Sequence, residues 1–372
     1  MKIPLASQDI SDLEIQVVTD ILKSERLSLG PRIGQFEQAI CDFVGCKYAV
    51  AVNSGTCALH LAWLAAGVGE GDEVITPSFS FIASANSILF VGAKPVFVDI
   101  DPATWQIDPG KIEAAITPRT KAILPVHVFG QPAQMAPIFD IARKHKLIVL
   151  EDSCEALGAS LDGRMAGSMG FCGAFAFYPN KQITTGEGGM LVTSDPEAAK
   201  LARSLRNQGR GEGATWLSHE RLGYNYRMCD IQAGLGWAQM QRIRHILGRR
   251  DEVAGWYLRR LGKHPKLATQ AIAPNVKMSW FVFVLKLEDS FRREQRDKLL
   301  AQLTENGIGC NPYFAPIHLQ KLYRDKFGYR GGELPVTERV GDRSFAVPFS
   351  SKMTESEVDY VCETLNRLID RL

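Results

Sequence analysis

The sequence predicts an α/β protein: a large α/β/α domain on a mainly parallel sheet, with its N-terminal arm over 1–245, then a smaller α+β domain over 246–372. Three observations predict it. Short apolar runs alternate with amphipathic stretches from Tyr48 to Asn207, the signature of repeated βα units. That alternation thins after Arg210 and gives way to an α+β pattern from about residue 250. The chain of 372 residues, 45% hydrophobic and 23% charged, is also long enough for a sizeable core in two domains.

Taken in order, Ser11-Asp-Leu-Glu14 is a capping box that opens an amphipathic helix through Leu22. Ile33, Phe36, Ile40 and Phe43 share one face of a second helix, which ends at Gly45. Tyr48–Val52 reads as a strand running into Asn53-Ser54-Gly55-Thr56 and a helix bearing Leu59, Ala62 and Ala65. Glu73–Thr76 is the next strand, followed through Pro77–Phe81 by a helix from about Ile82. Pro95–Ile100 is a strand, and Asp108-Pro109 caps a helix through Ile116. Lys121–Val126, helix 134–145 and the continuous apolar run Lys146–Leu150 follow, the last ending in Glu151-Asp152. Ala174–Tyr178 is a strand stopped by Pro179, and strand character resumes over Met190–Thr193 before a helix from Asp195 to Asn207. The polar, glycine-rich Arg210–Leu217 reads as a mobile or substrate-facing loop. Ile231, Leu235, Ala238, Ile243 and Ile246 form the apolar stripe of one long helix leaving the large domain. Trp280–Leu287 (strand), 292–306 (helix), Ser344–Phe349 (strand) and a helix opened by the capping box Thr354-Glu-Ser-Glu357 complete the chain.

Composition narrows the function. A net charge of +2 gives no electrostatic footprint for nucleic acid or an anionic membrane surface. No apolar run is long enough to span a bilayer, and Met1–Ile10 lacks the apolar region of a signal peptide. Eight cysteines without a CxxC pair read as reduced residues of a cytoplasmic protein. Seven histidines without HxxxH or HExxH spacing give no expectation of a metal.

Four features fall at the predicted C-terminal ends of strands, where parallel sheets bind ligands. Ser54-Gly55-Thr56 at a helix start offers free N–H groups and hydroxyls to an anion, although a plain serine cap has the same sequence. Phe81 offers a flat face to a planar ring, although core packing uses the same residue. Asp152 can hold a protonated ring nitrogen or simply cap a loop. Lys181, between rigid neighbours in a strand–loop–strand unit, fits a Schiff-base lysine and equally a surface lysine on a glycine-rich hairpin. Together they are the set that holds pyridoxal phosphate by phosphate, ring face, ring nitrogen and aldehyde.

The chain resembles the nucleotide-sugar aminotransferases (the DegT/DnrJ/StrS group) of the fold-type-I pyridoxal-phosphate enzymes. The resemblance runs nearly end to end, through Asn53-Ser-Gly-Thr-Cys-Ala-Leu, Thr76-Pro-Ser-Phe-Ser-Phe, Glu151-Asp-Ser-Cys-Glu-Ala, Lys181-Gln-Ile-Thr-Thr-Gly-Glu-Gly-Gly, Gly223-Tyr-Asn-Tyr-Arg-Met and Pro312-Tyr-Phe-Ala-Pro-Ile-His318. It implies a homodimer with shared active sites, using glutamate or another amino acid as donor and a nucleotide-linked ketosugar as acceptor. In that frame Lys181 is the Schiff-base lysine and proton shuttle, Asp152 pairs with the pyridine nitrogen and Phe81 stacks on the ring. Gly55 and Thr56 hold the phosphate with Asn225 of the other subunit, while Arg227, Tyr313 and His318 face the sugar nucleotide.

Two departures stand out. Glu155 occupies a position where the family most often has Gln or His against the cofactor's phenolic oxygen, so it binds as the protonated acid or turns away. Ala176 replaces a common phosphate-binding serine. Some similar proteins are pyridoxamine-phosphate-dependent sugar dehydratases with His at the lysine position, and the intact Lys181 argues against that class. A cofactor-binding regulator without turnover is the alternative of another kind, which steady transamination would separate.

Overall fold

The computed structural model describes residues 1–211, 213 and 218–372. Most of the loop expected to face substrate, Arg210–Leu217, therefore lies outside the described residues. Helix α1 (Asp12–Leu22) carries the expected capping box, and α2 (Pro31–Val44) stops at Gly45. Gly45 sits at φ 80°, a left-handed conformation that costs glycine little.

The main layer follows as β1 (Tyr48–Val52), α3 (Gly55–Ala65), β2 (Glu73–Pro77), α4 (Ala83–Phe90), β3 (Lys94–Val98), α5 (Pro109–Ile112), β4 (Thr120–Ile123), α6 (Met135–His145) and β5 (Ile148–Asp152). A short hairpin, β6 (Ser160–Leu161) and β7 (Arg164–Met165), precedes β8 (Cys172–Ala176), β9 (Gly189–Thr193) and α7 (Pro196–Arg206). The seven-stranded sheet has the order β1-β9-β8-β5-β4-β2-β3. Its pairs are parallel except that β9 runs antiparallel to both neighbours, Val52 facing Gly189 and Ala176 facing Gly189. The loop between β8 and β9 therefore opens on the edge where β1, β2 and β5 end.

Period-two alternation packs helices on both faces. Val50 and Val52 of β1 join Leu59, Leu61 and Trp63 of α3, whereas Ala49 and Ala51 join Phe36 and Ile40 of α2. Two expected helices differ. The one capped by Asp108 closes as α5 and a 3-10 turn over Glu113–Ala115, because the chain is already extended at Ile116 ahead of Pro118. The long stripe splits into α8 (Asp230–Gln241) and α9 (Ile243–Leu261) at Arg242, which leaves helical geometry (φ −108°, ψ 3°). Its guanidinium bonds Asp9 at 2.8 Å and Glu14 at 2.9 Å.

The remaining chain forms β10 (Leu267–Ala268), β11 (Val276–Lys277), β12 (Phe283–Leu287), α10 (Arg293–Glu305), β13 (Asn311–Pro312), α11 (Lys321–Phe327), α12 (Pro335–Arg343), β14 (Ser344–Val347) and α13 (Glu355–Ile369). β11 joins the β6–β7 hairpin, and β10-β12-β14-β13 form an antiparallel sheet. Tyr257 of α9, Phe283, Phe345 and Leu365 centre its core. Among the described residues no helix is long and apolar enough to cross a membrane.

Candidate active site

The first wall is the turn from β1 into α3. The Ser54 hydroxyl accepts from the Cys57 N–H at 3.1 Å, so the ordinary serine cap is present. It leaves the first-turn N–H groups of Gly55 and Thr56 without helical acceptors, at the positive end of an 11-residue helix. Close approach dictates glycine here. A Cβ on Gly55 would lie 2.7 Å from the Ala176 Cβ, and one on Gly189 would lie 2.3 Å from the Ser54 carbonyl oxygen.

Asp152 ends β5 and is buried. One carboxylate oxygen accepts from the Ser84 hydroxyl at 2.6 Å, the other from the Cys154 N–H at 3.1 Å. Behind it Glu151 is wholly buried and accepts from the N–H groups of Gly167, Met169 and Gly170 at 2.6–2.8 Å. His127 Nε2 completes its shell at 2.9 Å. The Ala133 N–H donates to His127 Nδ1 at 3.1 Å, which makes Nε2–H the donor to Glu151. Glu151→Ala should leave these donors without an acceptor and cost about 3–5 kcal/mol of stability. Urea unfolding of the cofactor-free protein measures it, and a loss below about 1 kcal/mol would contradict the network's importance.

Lys181 lies in the loop between β8 and β9, its side chain 13% exposed. Its Nζ is 3.6 Å from a Glu155 carboxylate oxygen and 4.0 Å from the centre of the Phe281 ring. The other Glu155 oxygen accepts from the Phe129 N–H at 2.9 Å. Burial pushes the Glu155 carboxyl above the usual range, against the pull of the Lys181 charge and the Phe129 N–H.

These groups bound one cavity of about 500 Å³, lined by Ser54, Gly55, Thr56, Phe81, Asp152, Glu155, Lys181 and Tyr313 among others. Phe81 is 61% exposed at its rim and is not a core phenylalanine. The Tyr313 hydroxyl, 3.5 Å from Asn180 Nδ2, is pushed up to about 12 by burial. Three of the expected residues are not brought to this cavity by this chain. Asn225 is exposed and bridges Asn207 through its backbone, while Arg227 lines a separate cavity of about 220 Å³ and donates to the Asn207 side chain at 3.0 Å. His318 is fully buried, with its two ring nitrogens 2.7 Å from the Ser78 hydroxyl and 3.1 Å from Glu338. Conversely, sequence reasoning missed Ser84, Asn180 and Phe281. Ser84 carried a usable signal, a hydroxyl in the first turn of α4 after a strand end. Phe281 carried none, since its position depends on a segment distant in sequence.

The cavity suits an anionic, planar, cationic-ring ligand: α3 faces it with N–H groups, Asp152 offers a carboxylate and Lys181 an amine. Among the described residues the buried side-chain amide oxygen of Asn180 on its wall lacks a hydrogen-bond partner, leaving an acceptor for a bound molecule. Fold and site together define a pyridoxal-phosphate enzyme of the aminotransferase class. The comparisons agree. The chain belongs to the DegT/DnrJ/EryC1/StrS aminotransferase family, whose model matches residues 8–366. It is 41% identical to the GDP-perosamine synthase of Caulobacter vibrioides over 346 residues, 92% of this chain and 91% of that one. DesV of S. venezuelae, solved with a ketimine intermediate, superposes with a TM-score of 0.90 at 34% identity, covering 96% of this chain and 95% of DesV. Spr1654 of Streptococcus pneumoniae, solved in PLP and PMP forms, has a TM-score of 0.95 at 28% identity, with 100% of this chain and 98–99% of that one covered. The protein is thus an aminotransferase of this family, and its cofactor is pyridoxal 5′-phosphate.

Proposed function

We propose that the enzyme moves an amino group from an amino acid, with glutamate as the expected donor, to a nucleotide-linked ketosugar. The observation that carries this reading is the convergence of Lys181, Asp152, Phe81 and the start of α3 on one cavity of about 500 Å³. That volume is within the range for a small-molecule site. Pyridoxal phosphate supplies a carbonyl that exchanges amino groups and a ring that withdraws electrons. The chain supplies the rest. Gly55 and Thr56 bind the phosphate, Phe81 shields the ring, and Asp152 holds the proton on its nitrogen. Lys181 would carry the covalent link to the cofactor, and its amine, when free, would hold and move the proton at the substrate carbon. Tyr313 and Asn180 line the side open to the sugar. The test is a half-reaction assay: the pyridoxamine form against a panel of nucleotide-linked 3- and 4-ketosugars, with loss of the reduced cofactor's absorbance as readout. Amination of free sugars or keto acids alone would overturn the acceptor assignment.

Glu155 acts in this reading as a neutral acid. Glu155→Gln keeps a hydrogen-bond donor of the same shape, so turnover should change less than about tenfold. The raised Glu155 pKa stabilises the cofactor-free fold most below its ordinary value of 4.5, and that contribution is lost as pH rises through the folded-state value. The glutamine variant should therefore gain thermal stability over wild type as pH rises from 4.5, a trend that melting curves at several pH values measure. Equal stability of the two at every pH would contradict a raised pKa.

A homodimer is part of the proposal, because Asn225 and Arg227 lie off this chain's cavity and in this reading serve a second copy's site. Mixing subunits carrying Asn225→Ala with subunits carrying Lys181→Ala should then regenerate active hybrid sites. Absence of any recovery, with subunit exchange demonstrated, would refute shared sites.

A further inference from the structure

The main chain at Lys181 is gripped from outside its own loop by a buried side chain. Arg250, on α9, is 4% exposed. It donates to the Lys181 carbonyl at 2.8 Å, to the Trp280 carbonyl at 3.2 Å and to the Phe281 carbonyl at 3.1 Å. Its guanidinium also lies 5.6 Å from the Phe349 ring centre. No carboxylate within salt-bridge distance pairs with it among the described residues. Burial pushes the guanidinium down to about 10, still above neutral pH, so the charge persists.

An unpaired buried charge is an expensive way to fill space, since an apolar side chain of that length avoids the desolvation penalty. What the guanidinium adds is geometry. A planar fork fixes its acceptors relative to one another, which a lysine point charge or an alkyl chain does not. The acceptors here are the carbonyl of Lys181 and the carbonyl of Phe281, the residue whose ring lies 4.0 Å from the Lys181 amine. A second tie joins the same two segments. Gln182 Nε2 donates to the Ser279 carbonyl at 3.0 Å and to the Glu155 carbonyl at 2.6 Å. The loop is therefore held twice, and Arg250 is the tie that acts on Lys181 itself.

We propose that Arg250 is a positioning residue for transamination: through the main chain it sets the Lys181 amine against the Phe281 ring and the cavity. The proposal rests on Lys181 being the residue linked to the cofactor. A misplacement of about 1 Å at a reacting amine is worth on the order of 10²-fold in rate.

The experiment uses cofactor-loaded wild type, Arg250→Lys and Arg250→Ala. In folded variants with wild-type cofactor content, amino transfer from glutamate in a single turnover should slow by about 10²-fold for alanine and less for lysine. The KM for glutamate should change little, and the pH at which the cofactor's visible band changes should move. Guanidinium chloride at millimolar concentration should restore part of the rate to the alanine variant, because the free ion can occupy the vacated fork. Unchanged rate and titration in Arg250→Lys and Arg250→Ala would overturn the proposal. So would a rate that falls only in proportion to lost cofactor or folded protein. If the alanine variant does not fold, the lysine variant decides by the same criteria. Borohydride reduction with peptide mapping separates the two levels: a label away from Lys181 defeats the functional reading, whereas a label on Lys181 with wild-type variants defeats only the role of Arg250.

Discussion

Lys181→Ala should abolish steady transamination, lowering turnover by about 10⁴-fold or more, the upper end for a single proton-transferring group. One amine is asked both to hold the cofactor and to move the proton, and neighbouring groups replace neither. The fold should survive. The ties on this stretch of loop are made by main chain, Lys181 N–H to the Tyr178 carbonyl at 2.9 Å and Arg250 to the Lys181 carbonyl at 2.8 Å, and alanine keeps both. Glu155 loses the cation that favours its charged form, so its carboxyl shifts further above the usual range. The cofactor should still bind through α3, Phe81 and Asp152, without the covalent link. Reduction of the wild type with borohydride and peptide mapping checks the assignment. A label on Lys121, Lys200 or another lysine would mean that the site is misassigned.

Asp152→Asn should give the second-largest loss, about 10²–10³-fold in turnover with weaker cofactor retention. The amide oxygen can keep the bond from the Cys154 N–H, which places the amide nitrogen toward Ser84. An N–H group then stands where a carboxylate would hold a ring proton, so the ring loses its electron-withdrawing form. Folding should be unaffected, because Glu151 and not Asp152 anchors the 167–170 loop. Cofactor content by absorbance, together with turnover, tests this; native rates in the asparagine variant would reduce Asp152 to a loop cap.

Much of this was legible because the relevant signals are local. Capping boxes at Ser11 and Thr354, the apolar strand ending in Asp152, and the serine–glycine turn at the start of α3 each announce themselves within a few residues. Side-chain alternation in β1 likewise follows from its own sequence. What escaped depends on partners distant in the chain. The break at Arg242 is tied to Asp9 and Glu14, more than two hundred residues away. Phe281 meets Lys181 only because Arg250 and Gln182 bring two segments together. The resemblance places His318 toward the sugar nucleotide, whereas Ser78 and Glu338 hold it inside. Its motif says nothing of those partners.

The antiparallel strand β9 has a consequence for the newly made chain. The start of β9 abuts the turn after β1, and the lysine loop hangs from the same strand, so the two grips proposed for the cofactor meet only when distant stretches have zipped together. Pairing of that kind carries a high loop-closure cost and forms slowly. At translation speeds of about 5–20 residues per second, the phosphate turn leaves the ribosome many seconds before its partner. During that interval the turn before α3 stands without the Lys181 loop beside it. On the proposed assignment, capture of the coenzyme is a late event that reports a completed sheet, and a truncated chain ending before β9 should not sequester it through this pair of grips.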